Sequence, residues 1–383
     1  MKKIALLLLL SMLGLLVIPA SAQDLPNLSD LPLGEWTQIQ ASEGICLYGG
    51  DYSFFVRPAE VESDNLLVYF QGGGACWDGV TCGSIGEFAS FYDVTADTIN
   101  FYAEGYGIFD FDNPDNPLAD YTAVFLPYCT GDVHSGDNAL TFDVPEDIGA
   151  DFAEIDVYFN GFNNTQIVLD WVYEHITQPE QIVVSGCSAG GYGAVTYAPF
   201  IMNHYAGVPT TLIADSSHGV LAPDWEGLDT WGVLNNLPEF VEGMDDVTRD
   251  DYDTSLYLEL SAEQFPDNQF AEFNSYLDGV QIGFYGSLLG YDLSFENDIV
   301  AVAAQWSAAL SANLRQLSSL ENFDYYTAGG SQHCVVNYDV FYEYDQSGVI
   351  FSEWFADVIA DSAENVTCSI LAQDCFVSPL EDN

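Results

Sequence analysis

The run Val183-Val184-Ser185-Gly186-Cys187-Ser188-Ala189-Gly190 sets a serine in the pattern G-x-S-x-G directly after an apolar segment. A serine hydroxyl is a poor nucleophile unless it is exposed, fixed in place and served by a base. A buried strand ending in this pattern turns tightly into a helix, and its glycines let strand and helix pass closely while Ser188 protrudes. The N–H of the next residue, Ala189, then faces a developing oxyanion. A second glycine-rich stretch, Gly72-Gly73-Gly74-Ala75, follows the apolar run 66–70. Lipases and esterases keep oxyanion donors in a loop at this point of the fold, and glycines leave the N–H groups unobstructed.

Such a serine needs a base, and hydrolases with this elbow place the histidine last in chain order. His333 alone among five histidines follows Ser188, a strand and a Gly-Gly turn near the C-terminus. His134 precedes the serine, His175 sits within a helical pattern, His204 lies beyond the nucleophile helix, and His218 follows the strand 211–214. The acid that orients the base falls between Ser188 and His333. Asp215 ends a strand and is favoured on local grounds. Asp278 lies in a segment in which Phe270, Phe273, Leu277 and Val280 recur at helical spacing.

These residues need a scaffold that brings strand ends together. Short apolar runs at 36–40, 52–56, 66–70, 123–126, 181–185, 211–214 and 325–327 read as strands. Between them, Asn163 can cap a helix from 164 to about 176, where Ile167, Val168, Trp171 and Val172 recur at helical spacing. Strands alternating with helices imply an α/β-hydrolase-type, mostly parallel sheet with helices on both faces, and sites at its carboxyl end.

Residues 1–22 read as a signal peptide: Lys2 and Lys3, an apolar run to Ile18, then Ala20-Ser21-Ala22. The expected product is a single α/β-hydrolase domain over 23–383, secreted to an extracellular or periplasmic space, with no later membrane anchor. Without both lysines, three arginines face 59 acidic residues, a formal charge of −56. Such a surface repels nucleic acid and anionic membranes and suits salt water, where counter-ions screen it. Acidic runs such as Asp245-Asp246 and Asp250-Asp251 lack the spacing of a calcium loop. No histidine pair has zinc-protease spacing, so no metal and no cofactor are expected.

Taken together, the stretches 46–56, 66–82 (LLVYFQGGGACWDGVTC), 127–136 (PYCTGDVHSG), 185–193 (SGCSAGGYG), 212–217 (LIADSS), Asp278 with Gln281, and Gln332-His333-Cys334 resemble the pectin acetylesterase family, which also contains the animal carboxylesterase Notum. The resemblance implies ester hydrolysis by Ser188 and His333 and assigns the acid to Asp278, with Asp215 as the alternative. It also implies oxyanion donors at Gly73, Gly74 and Ala189, and O-acetyl groups on polysaccharide as substrate. The expected partner is an acylated carbohydrate or other small ester, met by a monomer. A catalytically inactive carbohydrate-binding or adhesion protein on the same scaffold is the alternative.

Eight cysteines in an exported chain favour disulfides. Cys187 adjoins the nucleophile and Cys334 the base, so residues brought within hydrogen-bond reach carry their neighbours toward bonding distance. The expected pairs are Cys187–Cys334, Cys76–Cys82, Cys368–Cys375 and, by elimination, Cys46–Cys129.

Overall fold

The computed structural model describes residues 25–380 apart from 85–89, 92–94, 98, 149, 151, 224 and 292–295. The expected leader, residues 1–22, lies outside the described residues. The strands are β1 (Thr37–Ile45), β2 (Asp51–Arg57), β3 (Asn65–Phe70), β4 (Thr122–Leu126), β5 (Asn138–Asp143), β6 (Glu154–Phe159), β7 (Gln181–Cys187), β8 (Thr210–Asp215), β9 (Gln269–Ser275), β10 (Phe323–Ala328), β11 (Asp345–Gln346), β12 (Val349–Ile350) and β13 (Val366–Thr367). The helices are α1 (Asn100–Ala103), α2 (Gly161–His175), α3 (Ala189–His204), α4 (Gly227–Trp231), α5 (Thr254–Gln264), α6 (Gly279–Leu288), α7 (Glu296–Leu317) and α8 (Phe351–Ile359).

Nine strands form one sheet in the order β1-β2-β4-β3-β7-β8-β9-β10-β13. The hairpin β1–β2 and the β2–β4 pair are antiparallel, and every pair from β4 to β13 is parallel. The central strands read as continuous apolar runs because both faces are covered. In β3, Leu66, Val68 and Phe70 enter one core with residues of α2, α3, α5 and α7, while Leu67 and Tyr69 enter another with residues of α8. β7 and β8 divide in the same way, Ile182 and Val184 against Val183, Leu212 and Ala214 against Ile213. Side-chain alternation along a strand therefore distributes one sequence between two cores. The result is an α/β-hydrolase-type fold.

Two local expectations change. The helix expected from Asn164 starts at Gly161. Asn164 instead turns its amide onto β1, accepting from Ile45 N–H at 3.0 Å and donating to Ile45 O at 2.9 Å. The helical spacing at Phe270 and Phe273 is a coincidence of a short apolar run: residues 269–275 are strand β9, paired on both sides by β8 and β10, and helix begins only at Gly279.

Four disulfides join Cys46 to Cys129, Cys76 to Cys82, Cys187 to Cys334 and Cys368 to Cys375. Among the described residues no helix is long and apolar enough to cross a membrane. The scarce cations are engaged close to home: Arg57 lies 3.6 Å from Glu60 and over the Phe111 ring at 4.1 Å, and Arg249 lies 3.3 Å from Asp229. These pairs leave the surplus of negative charge almost untouched. The melting temperature is therefore expected to climb between about 0.01 M and about 1 M NaCl, as the Debye length falls from roughly 30 Å to roughly 3 Å. A melting series in NaCl checks it, and a flat profile would contradict diffuse repulsion.

Candidate functional site

Ser188 occupies the single residue between β7 and α3, at φ 57° and ψ −126°. That conformation is strained for a residue with a side chain, at a cost of about 1–3 kcal/mol, and persists because its surroundings over-determine it. Ser188 N–H donates to Asp215 O at 2.8 Å, and Ser188 O accepts from Gly191 N–H at 2.9 Å. The turn also demands close backbone approach. A Cβ at Gly190 would lie 2.0 Å from Phe70 O, and one at Gly186 would lie 2.2 Å from Gly190 O. As the first residue of α3, Ala189 has no intrahelical acceptor for its N–H.

The loop after β3 turns at Gly74, with φ 80°, and a Cβ there would lie 2.0 Å from Ser90 O. Ala75 N–H is spent on Ser90 O at 2.8 Å. Gly74, Ala75, Ser188, Ala189 and His333 line one cavity, and Gly73 adjoins Gly74 beside the Tyr128 ring. The segment 128–134 supports this loop from beneath. Tyr128 N–H donates to Gln71 Oε1 at 3.1 Å, Cys76 N–H donates to Gly131 O at 2.9 Å, and His134 Nε2 meets Gln71 O at 2.8 Å. By residue type alone His134 is only a rival base. Its place in the PYCTGDVHSG stretch was the available signal for a supporting role.

His333 Nδ1 lies 2.8 Å from Asp278 Oδ2 and 3.0 Å from Oδ1. Asp278 is wholly buried and caps α6, its Oδ1 accepting from Val280 N–H and Gln281 N–H, both at 3.0 Å. Gln281 Nε2 donates to Asp278 Oδ2 and to Asn274 Oδ1, each at 3.0 Å, extending the polar contacts behind the carboxylate. A carboxylate so furnished fixes the imidazole with its proton on Nδ1 and leaves Nε2 for other work.

Asp215, the alternative acid, is placed differently. Its Oδ2 accepts from Val335 N–H at 2.6 Å and Val336 N–H at 2.8 Å, and its Oδ1 accepts from Ser216 Oγ at 2.8 Å. Ser216 Oγ in turn accepts from Cys334 N–H at 3.0 Å. The end of β8 thus grips the backbone just after His333 without touching the ring. Ser216 lies in the LIADSS stretch, but residue type and position there do not reveal this contact. The Cys187–Cys334 bridge, with Cα atoms 5.7 Å apart, fastens the same loop to the elbow. The His/Cys and Asp/Cys groupings at 187, 333, 334 and at 368, 374, 375 contain only bridged cysteines, which offer no thiolate to a metal.

The cavity above Ser188 is walled by Trp77, Trp225, Trp231, Tyr252, Phe284 and Trp306. A serine on a strand-to-helix elbow, a histidine held by a buried carboxylate and a mostly parallel sheet define an α/β-hydrolase-type protein. The sequence profile of the Pectinacetylesterase family matches residues 31–216. Over that stretch the chain resembles the pectin acetylesterase–Notum family.

It is 24% identical over 151 residues to palmitoleoyl-protein carboxylesterase notum2 of Xenopus laevis, covering 39% of this chain and 28% of that protein. To palmitoleoyl-protein carboxylesterase NOTUM of Schmidtea mediterranea it is 25% identical over 155 residues, covering 39% and 27%. The matched stretches span little more than a quarter of those relatives' length. The crystal structure of the Wnt deacylase Notum from Drosophila superposes with a TM-score of 0.61 at 15% identity, over 88% of this chain and 97% of that one. A second crystal form gives 0.58 at 14% identity, over 88% and 96%. At these identities the likeness is one of fold.

Burial pushes the Asp215 carboxyl up from 3.8 to about 6, against the bonds from Val335, Val336 and Ser216 and the proximity of His333. Burial likewise raises Asp132 to about 6 and lowers His134 from 6.5 to about 4. A carboxyl raised in the folded state adds stability that is fully present below about pH 4 and lost as pH rises through 6. The histidine acts in the opposite sense, its contribution present above 6.5 and lost as pH falls through 4. Two carboxyls outweigh one histidine, so the melting temperature is expected to rise from about pH 7.5 to about pH 5. Asp215→Asn is expected to cancel that rise, read from melting curves of both proteins at both pH values.

Proposed function

We propose that the chain is a secreted serine carboxylic-ester hydrolase, one domain over residues 23–383, acting through an acyl-serine. The observation that carries this reading is the His333–Asp278 contact at 2.8 Å in the wall of a cavity that also contains Ser188. His333 Nε2 takes the Ser188 proton as Oγ attacks the acyl carbon, and backbone N–H groups of Gly73, Gly74 and Ala189 receive the oxyanion. The alcohol leaves with the proton from His333. Water, deprotonated in turn by His333, then releases the acid. The names of the relatives, carboxylesterase and deacylase, support this reaction class. Four disulfides and the leader-like N-terminus support export. All the groups invoked belong to one chain, which suits a monomer.

The expected acetyl group uses little of the cavity. Its volume is about 120 Å³. One water needs ~10–15 Å³ on this measure, so there is room for on the order of ten water-sized groups, where an acetyl fills two or three. We therefore assign the cavity to a larger acyl group on a carbohydrate hydroxyl. At a formal charge of −56 a weakly charged carrier fits better than a polyuronate.

A fluorophosphonate probe is expected to label the protein at Ser188, and Ser188→Ala to abolish the label; persistence of the label would refute the nucleophile. Asp278→Asn keeps an N-cap for α6 but holds the wrong histidine tautomer. A loss in kcat approaching 10⁴-fold is expected, whereas Asp215→Asn should cost less than about tenfold because it does not touch the ring. Steady-state kinetics on para-nitrophenyl butyrate compares the three proteins, and the reverse order would move the acid to Asp215.

A further inference from the structure

Among the described residues, three buried polar atoms of the cavity wall have no partner: Gln281 Oε1, behind the Asp278 carboxylate, and one atom each of His218 and Trp225. His218 is fully buried and lines the cavity; its Nδ1 lies 2.8 Å from Glu272 Oε2, and its Nε2 meets no acceptor or donor. Trp225 also lines the cavity, and its Nε1 is buried and unpaired. Buried polar atoms are almost always hydrogen-bonded, and one left unmet costs about 1–3 kcal/mol. Each exception therefore asks for an explanation.

The position of His218 separates it from the acyl-transfer machinery. Ser188 N–H bonds Asp215 O, and the chain then passes Ser216 before reaching 218. A Cβ on the next residue, Gly219, would lie 2.9 Å from Tyr192 Cε1, so this segment packs beside the first turn of α3, beyond the nucleophile. Glu272 is itself fully buried on β9, and it turns to the same side of that strand as Phe270. Facing a carboxylate, Nδ1 carries the proton, which leaves Nε2 as the ring's second polar atom.

We infer that the cavity is built to receive an acyl group bearing a hydroxyl, held by His218 Nε2 and Trp225 Nε1 within an aromatic wall. A hydroxyl both donates and accepts, so it complements Nε2 with or without a proton, and its oxygen can accept from the indole N–H, which is donor only. A carboxylate would meet only a protonated ring and would enter beside the carboxylates of Glu272 and Asp278. Trp77 stands edge-on to Trp225 at 5.6 Å, and Trp225 to Trp231 at 5.2 Å, a lining suited to an aromatic ring. A hydroxyaryl acyl chain meets both requirements, and a polymeric alcohol would stay at the rim.

This inference rests on the esterase reading, and its test separates the two. Wild-type kcat/KM is measured on para-nitrophenyl phenylpropanoate and on its ortho, meta and para ring-hydroxylated isomers. One hydroxylated isomer is expected to exceed the parent by about 10- to 100-fold, as a site built to bond a hydroxyl rejects the analogue lacking it. Equal rates across the four would overturn the inference while leaving the esterase intact. Hydrolysis of none would overturn both. His218→Leu with Glu272→Leu removes both members of the buried pair, which is better tolerated than stranding one charge. This double variant should lose the preference for the hydroxylated isomer over the parent ester; a retained preference would overturn the role of His218. The wild-type comparison stands by itself if the variant does not fold.

Discussion

Everything in the candidate site depends on holding two loops in register. The serine elbow and the histidine loop are far apart in sequence, their neighbouring cysteines separated by 147 residues. The end of β8 does most of the holding: Asp215 O anchors Ser188 N–H, while its carboxylate and Ser216 Oγ anchor the N–H groups of residues 334–336. One short segment thus positions both groups, and the Cys187–Cys334 bridge repeats the connection covalently. An unmet buried N–H costs about 1–3 kcal/mol, so these bonds fix the loop more tightly than packing alone could. For the proposed ester hydrolysis this matters, because angstrom-scale misplacement of reacting groups is costly in rate.

Around that junction the protein combines features that would conflict elsewhere. Ser188 is strained, Cys334 also has positive φ at 65°, and several charged or polar side chains are fully buried. Asp278 and Asp215 each collect several donors, which offsets the loss of water. Glu272 and His218 satisfy each other only in part. The surface, by contrast, is acidic almost without relief, and its stability leans on the solvent. Strain and polarity inside are carried by the sheet and its two apolar layers; the charge outside is left to salt.

The sequence by itself determined much of this. The elbow, the glycine loop and the late histidine could be read because each is a local pattern with a local cause: a tight turn, an unobstructed N–H, a strand end. The central strands showed as apolar runs for the same reason. What the sequence left open was anything decided by contacts across the fold. Local pattern favours Asp215, which ends a strand, and only the family resemblance points to Asp278. Only the tertiary structure set Asp278 against the imidazole and Asp215 against the backbone behind it. The spacing of Phe270 and Phe273 suited a helix until β8 and β10 supplied hydrogen-bond partners on both sides. Asn274 and the His218–Glu272 pair carry no motif of their own, and the stretches that hold His134 and Ser216 do not say what those side chains touch. Their roles arise because parallel strands bring side chains distant in sequence to one end of one sheet, where distance and burial, not residue order, decide which groups meet.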